Sequence, residues 1–379
     1  TGYDSENAFQ QFIWSARQVN FSDLKDWRSF PLAPIGTAAE GTPLNWNHNF
    51  QNNPYWVLQT NTNTFEKDRL IGNVGLTSQL TDDVTFSMKY GIDSSSLLDT
   101  NRQAMGSASA QNGSYKERQI RSEEVNASFL LSYDKDFTED FGFSLSFGGN
   151  HMHRTYDRVS GELPGLELPN LYNLSNLQTG ATAELGNLHT YQQINSLYAY
   201  GQFSYKDMVF LDFTTRNDWS SILPVANNSF LYPSVTGSAL LSDIFPALKE
   251  NKINFLKLRG SWAKVGSTGA LDPYSLNQTY KLSNSGFGNQ ASIPNRQYNP
   301  NLKAEIVTSI EFGIDAKMFN NRLRLSATYY DAQSEDLLLP IQVTAASGFT
   351  NVWDNIADMS NKGIELQLGG TLIKKEDFS

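Results

Sequence analysis

The sequence predicts an all-β fold, a segment of an antiparallel transmembrane β-barrel with about eleven strands and long extracellular loops. Three observations predict it. Apolar and polar residues alternate with period two in stretch after stretch, short connections alternate with long ones, and tyrosine or tryptophan closes many of the apolar series. The pattern is clearest at 299–340. There Ile306, Thr308, Ile310, Phe312, Ile314 and Ala316 alternate with Val307, Ser309, Glu311, Gly313, Asp315 and Lys317. After the turn 318–321, Leu323, Leu325, Ala327 and Tyr329 alternate with Arg322, Arg324, Ser326 and Thr328. Successive side chains of a strand point to opposite faces, so each half of this hairpin has one apolar and one charged face. At roughly 3.3 Å per residue, ten residues tilted by about 45° rise about 23 Å, close to the roughly 25 Å apolar band of an outer-membrane barrel. One hairpin would suit a soluble β-sandwich equally well, so the rest of the chain decides.

A chain of 379 residues has room for two ordinary soluble domains or for part of one large barrel. It contains no apolar run of the roughly 18 residues a transmembrane helix needs. Its mean hydropathy is that of a soluble protein, but in a barrel the polar half of each strand masks the apolar exterior. Aromatic residues make up 12% and charged residues 18%, a rich supply of interfacial side chains. The absence of cysteine excludes disulfides and thiolate metal sites. A net charge of -10 without a basic stripe argues against a nucleic-acid partner and reads as solvated acidic loops. No basic and apolar leader follows Thr1, so any secretion signal is expected to have been removed or to lie outside this sequence.

Residues 1–65 lack sustained alternation and are expected to form a long extracellular loop, with a short helix at 8–17, a helical turn at 21–27 and a Pro-, Gly- and Asn-rich stretch to 53. Residues 66–379 are expected to be barrel strands and loops. Leu70, Gly72, Val74 and Leu76 share a face, Thr81-Asp82-Asp83 turns the chain, and Val84, Phe86, Met88 and Tyr90 return. A loop of about twenty polar residues is expected next. Val125, Ala127, Phe129, Leu131 and Tyr133 then pair through a turn at 134–140 with Phe141, Phe143, Leu145 and Phe147, followed by a long segment at 161–188. A third hairpin runs from Leu197, Ala199, Gly201, Phe203 and Tyr205 through Lys206-Asp207 to Val209, Leu211, Phe213 and Thr215. Stretches 229–241 and 255–264 make a fourth, 306–329 the fifth, and Ile364, Leu366 and Leu368 a last strand. A sandwich has no reason to alternate short and long connections over so many strands, whereas an outer-membrane barrel has short periplasmic turns and long outer loops. Tyr90, Tyr133, Tyr205, Trp262 and Tyr329 close apolar series at one strand end or the other, as two interfacial girdles would require. An odd set of strands that starts in a loop and ends in a turn cannot close an antiparallel barrel, so a portion of a larger barrel is expected.

Six stretches together resemble one family: NNPYWVLQTNTNTFEKDRLIGNVGL (52–76), RNDWSSILPVANNSFLYPSVTGSALLSD (216–243), LKLRGSWAKVGSTGALDPY (256–274), NPNLKAE (299–305), NNRLRLSATYYDAQSEDLLL (320–339) and SGFTNVWDNIADMSNKGIELQL (347–368). In content and order they are similar to the SusC/RagA family of TonB-dependent outer-membrane transporters of Bacteroidota. The resemblance implies a multi-pass barrel of about 22 strands in the bacterial outer membrane, with a plug, a TonB box and often a further N-terminal domain. It also implies TonB-dependent import of oligosaccharides or peptides, a SusD-like surface lipoprotein as partner, and the TonB complex reached through a plug that is not in this sequence. The chain matches the middle of such a barrel, and neither plug, TonB box nor closing strands are found in it. A scaffold subunit of an envelope complex and a soluble secreted β-sandwich or adhesin are the competing readings.

No constellation of an enzyme is present, since no nucleophile elbow, zinc-protease, phosphate-loop or dinucleotide motif occurs in strand-to-helix context. His151 and His153 share a strand face and have Asp157 nearby, but without further ligands they read as solvated residues rather than a metal centre. Asp134, Asp136, Glu139 and Asp140 crowd a turn without the calcium-loop order. Glu335 and Asp336 alternate to opposite faces and make no glycosidase pair. No cofactor is expected. The charged parity, Asp212, Arg216, Lys257, Arg259, Glu311, Asp315, Lys317, Arg322 and Arg324, is expected to line the lumen, chiefly in cross-strand ion pairs. Tyr172, Trp219, Phe287 and Trp353 are expected in long loops, where they could meet substrate or partner or pack on one another.

Overall fold

The computed structural model describes residues 7–27, 45–47, 50–285 and 288–371. Its strands are β1 (Asn63–Thr81), β2 (Val84–Ser107), β3 (Ala110–Thr138), β4 (Phe141–Leu163), β5 (Glu184–Tyr205), β6 (Val209–Ser220), β7 (Ser229–Leu240), β8 (Ile253–Ser267), β9 (Lys281–Ser285), β10 (Gly288–Ser292), β11 (Arg296–Gln297), β12 (Glu305–Met318), β13 (Leu323–Gln342) and β14 (Asn351–Gly370). Three short helices, α1 (Ala8–Trp14), α2 (Phe21–Lys25) and α3 (Pro54–Thr60), precede them, and α4 (Leu241–Ile244) and α5 (Ala247–Glu250) join β7 to β8. The eleven long strands lie side by side in chain order, β1 to β8 and then β12, β13 and β14. The short β11 adds to β14 in parallel, and β9 and β10 form a separate hairpin. From β5 onward each long strand is antiparallel to its neighbour.

Two expectations need correction. The polar stretch after Tyr90 is not a loop: β2 and β3 continue through it and are joined by residues 108–109 alone. Nor do short and long connections alternate strictly, because twelve residues with two helical turns join β7 to β8, on the side where the other turns are short. Polar strand extensions carry no apolar stripe, since nothing greasy covers either face. A pattern search for apolar alternation therefore stops where the apolar band stops. Tight turns are built as their sequences require. Lys206 and Asp207 both have positive φ (53° and 50°), the centre of a tight turn closed by Met208 N donating to Tyr205 O at 3.0 Å, whose twist matches that of the flanking strands.

The chain divides into two compact units. The first comprises residues 1–71, 93–124 and 155–190, with the three N-terminal helices and part of β1 to β5. Asparagine caps each helix: Asn7 Oδ1 accepts from Phe9 N and Gln10 N, Asn20 Oδ1 from Ser22 N, and Asn53 Oδ1 from Tyr55 N and Trp56 N. Pro54 occupies the first helical turn, where its missing N–H costs nothing. Asparagines also tie α3 to α2 and to the β2–β3 hairpin. Asn53 Nδ2 donates to Leu24 O at 2.8 Å, Asn52 Oδ1 accepts from Ala108 N at 2.7 Å, and Asn61 bonds both Ala104 N and Ser107 Oγ. Trp56, Val57 and Ala104 close a small core beneath them.

The second unit comprises residues 72–92, 125–154 and 191–379 and carries a part of all eleven long strands. An apolar core lies among its long connections: Ile222, Leu223, Leu271, Leu302, Ala304 and Leu338 are buried, with Phe230, Leu276 and Trp353 packed on them. The apolar faces of the strands, by contrast, stay open. Phe312 is 61% exposed, and Leu211, Val235, Leu258 and Ile310 are exposed as well.

Candidate functional site

The polar face of the second unit is the candidate site, and strand register fixes its layout. Across β8, β12, β13 and β14 the pairing sets four rows, namely Phe255, Lys317, Arg324 and Gly369, then Lys257, Asp315, Ser326 and Gln367, then Arg259, Gly313, Thr328 and Glu365, then Ser261, Glu311, Tyr330 and Gly363. Arg259 reaches across its row. Its guanidinium donates to Thr328 Oγ1 at 2.6 Å and to Asp315 Oδ2 at 3.3 Å, while Ser326 Oγ donates to Asp315 Oδ1 at 2.6 Å. This crossing needs Gly313, because a methyl group there would lie 2.5 Å from Arg259 Cζ.

A second polar cluster spans β5, β6 and β7. Arg216 Nε donates to Asp218 Oδ1 at 2.8 Å and its Nη2 to Ser196 Oγ at 2.8 Å, while the Tyr232 hydroxyl donates to the other oxygen of Asp218. The guanidinium also lies over the Tyr198 ring, 5.6 Å from its centroid. Asp212 accepts from Gln202 Nε2. Asp218, Tyr232, Ser196 and Tyr198 escaped the sequence reading. The signal was there, since all four share the even parity of Asp212 and Arg216 on β5, β6 and β7.

Of the expected lumen-lining residues, Asp212, Arg216, Lys257, Arg259, Glu311, Asp315 and Arg324 lie on strands, and only Arg259 and Asp315 among them are ion-paired to each other. Arg322 lies in the turn before β13, where its Nε donates to Thr371 O at 3.3 Å. The aromatic residues expected in long loops are mostly elsewhere. Trp219 sits in β6 and Trp353 in β14, the latter packed on the buried core, and Phe287 lies outside the described residues. Tyr172 is the true loop residue, packed with Tyr115, Leu163 and Leu166 beneath the Arg102 guanidinium. Its hydroxyl is buried without a hydrogen-bond partner among the described residues, and burial pushes its ionisation up. Tyr115 beside it, buried and donating to Glu117, is pushed up to about 12.

On the apolar face, aromatic rings line the short-turn end. Phe143 contacts Tyr133, Phe137 and Phe203, Phe203 contacts Phe213, and Phe141 lies 4.7 Å from Tyr205. Tyr90, Trp262 and Tyr329 lie farther along their strands, and Tyr329 is directly paired with Phe312 and Ile364. His151 and His153 have ring centroids 5.9 Å apart, and Asn195 bonds His151 Nδ1 at 2.7 Å. Among the described residues no group of three or more metal-ligating side chains is assembled.

An eleven-stranded sheet with an open apolar face, a ring-lined rim and a polar opposite face is the wall of a membrane barrel. The sequence profile described as TonB dependent receptor-like, beta-barrel matches residues 8–378. The chain belongs to the TonB-dependent receptor β-barrel family. It is 26% identical over 274 residues to TonB-dependent receptor P26 of Formosa agariphila, covering 71% of this chain and 28% of that protein. To TonB-dependent receptor SusC of Bacteroides thetaiotaomicron it is 27% identical over 209 residues, 52% of this chain and 21% of that one. Its fold is similar to that of the RagAB peptide transporter, with a TM-score of 0.78 at 21% identity over 90% of this chain and 37% of the other. The chain thus spans between a fifth and a third of the length of these curated relatives. Like other members of its family it is a β-barrel protein of the bacterial outer membrane. The family is one of receptors and transporters.

Proposed function

We propose that the chain forms part of the barrel wall of a SusC-like transporter that imports oligosaccharides or peptides across the outer membrane at the expense of TonB-coupled energy. The observation that carries this reading is the two-faced sheet, apolar and open on one side and lined by charges and hydroxyls on the other. The names of its relatives support the same class of activity, and RagAB is a peptide transporter. In this reading Tyr133 and Tyr205 mark one lipid interface and Tyr90, Trp262 and Tyr329 the other. Asp212, Arg216, Lys257, Arg259, Glu311, Asp315 and Arg324 face the hydrated path. Trp219, Trp353 and Tyr172 stiffen the outer connections against which a SusD-like lipoprotein closes. TonB acts through a plug supplied from outside the 379 residues. No residue of this chain performs covalent chemistry, because the wall only shapes and wets a passage.

A strain deleted for the gene tests this. Growth on a panel of oligosaccharides and peptides should fail on at least one member, return with the wild-type gene, and stay absent when TonB is removed. Growth unchanged on every member would replace import with a scaffolding role in the envelope.

A further inference from the structure

We infer that the long connection between β8 and β12 holds a subsite for one ring of a neutral oligosaccharide, built between residues 272–279 and 294–298. The inference rests on the import reading and names a substrate class for it. The pocket has a volume of about 260 Å³, just below the roughly 300–1,000 Å³ of sites that enclose larger ligands. Every described residue of its lining comes from this one connection. Both walls are held in place. Leu271 and Leu276 pack into the buried apolar core, and around them Ser275 N donates to Asp272 O at 3.1 Å and Asn277 N to Tyr274 O at 2.9 Å. Opposite, Arg296 and Gln297 pair in parallel with Asn351 and Val352 of β14, and Asn295 O accepts from Thr350 N at 2.8 Å. Tyr298 N donates to Gln278 Oε1 at 3.2 Å and so ties one wall to the other. A pocket fixed before its ligand arrives loses little freedom on binding.

The chemistry of the lining selects the ligand. Among the described residues Asp272 and Arg296 are its only charged groups, one of each sign, so it favours neither a sugar acid nor a charged peptide. Asn277, Gln278 and Gln297 bring amides, whose donor and acceptor stand side by side as a pair of neighbouring hydroxyls requires. Tyr274 and Tyr298 add rings with apolar faces and a polar tip, which suit the C–H face and hydroxyl rim of a sugar ring. No leucine, isoleucine, valine, methionine or phenylalanine lines the pocket among the described residues, so the apolar side chain of a peptide finds no cover there. Tyr274 carries a further mark of use. Its φ is 65°, a left-handed backbone that strains a tyrosine, and at 51% exposure no core packing accounts for it. Strain of this kind persists where the surrounding structure must hold a side chain in one place, as ligand clamps do.

The test is calorimetric titration of the full-length protein, purified in detergent, with the hexasaccharides of glucose, mannose, galactose and xylose, with hexagalacturonate and with tetra-alanine. At least one neutral saccharide should bind with a Kd below about 1 mM. Tyr274→Gly should weaken that binding about tenfold or more yet unfold at about the wild-type temperature, because glycine relieves the strain as it removes the ring. Tyr274→Phe keeps the ring and should stay within about threefold of wild type, while Gln297→Ala should lose about threefold or more. Unchanged affinity in both Tyr274→Gly and Gln297→Ala, or no binding of any neutral saccharide, overturns the subsite. Tighter binding of hexagalacturonate or tetra-alanine that Tyr274→Gly abolishes overturns its assignment to neutral sugars. The deletion strain separates the two ideas. Binding that depends on Tyr274, in a protein whose deletion leaves growth on every substrate intact, removes the import reading and keeps the subsite. Growth lost on deletion but normal in a Tyr274→Gly strain, with equal titrations, keeps import and removes the subsite.

Discussion

At the scale of single residues, the polar face shows that what a position lacks can matter as much as what it holds. Gly313 leaves room for Arg259 to cross a strand, and Gly148 leaves room for the Tyr198 ring, but the two notches differ in what borders them. A methyl group at 313 would meet only the far end of a flexible arginine, whereas at 148 it would lie 2.7 Å from the Phe129 carbonyl oxygen. Gly313→Ala should therefore fold and lose at most about 1 kcal/mol, the worth of a half-exposed ion pair and its hydrogen bonds. Gly148→Ala forces strand backbone apart and should cost clearly more, about 1–3 kcal/mol. Thermal unfolding of both variants in the same detergent checks the order, and equal losses would refute this reading of the notches. Neither glycine stands out in the sequence, because the arginine and tyrosine that need the space come from other strands.

At the scale of elements, α3 and the asparagines before it hold the first unit together. The alternation marks β1 but says nothing about a helix of seven residues, and NNPYW shows its purpose only once its partners are placed. Asn53 is fully buried and does two jobs, capping α3 and donating to the Leu24 carbonyl. Asn53→Ala removes a cap worth about 1 kcal/mol and leaves a buried carbonyl unpaired at about 1–3 kcal/mol more. Limited proteolysis should cut the variant within residues 7–60 much faster than wild type. The β-sheet core should keep its resistance to heat in detergent, because none of its strand pairings involves Asn53. Asn53→Asp keeps the acceptor and loses the donor, so it should fall between the two.

At the scale of the whole molecule the balance of faces governs behaviour. Large apolar side chains such as Phe312, Leu366 and Ile364 stay more than half exposed, while the buried apolar residues among the described ones are few and most of them lie in three small clusters. At about 25 cal/mol per Å² of apolar surface, so much uncovered area is incompatible with a dispersed protein in water. The full-length protein should be monodisperse in detergent and aggregate when the detergent is removed, as size-exclusion chromatography would show. A monodisperse, detergent-free preparation would mean that this apolar face is covered by protein, not lipid.

The sequence by itself determined which residues share a face, how many long strands there are and which face meets lipid, because a period of two is written locally and burial in lipid reinforces it at every second position. Only the tertiary structure decided where β2 and β3 end, that Trp219 and Trp353 stand in strands, and which charges find partners. Those outcomes depend on register between strands far apart in the chain. Polar extensions carry no local apolar stripe, and one residue of slip would have paired Arg259 and Lys317 with different neighbours.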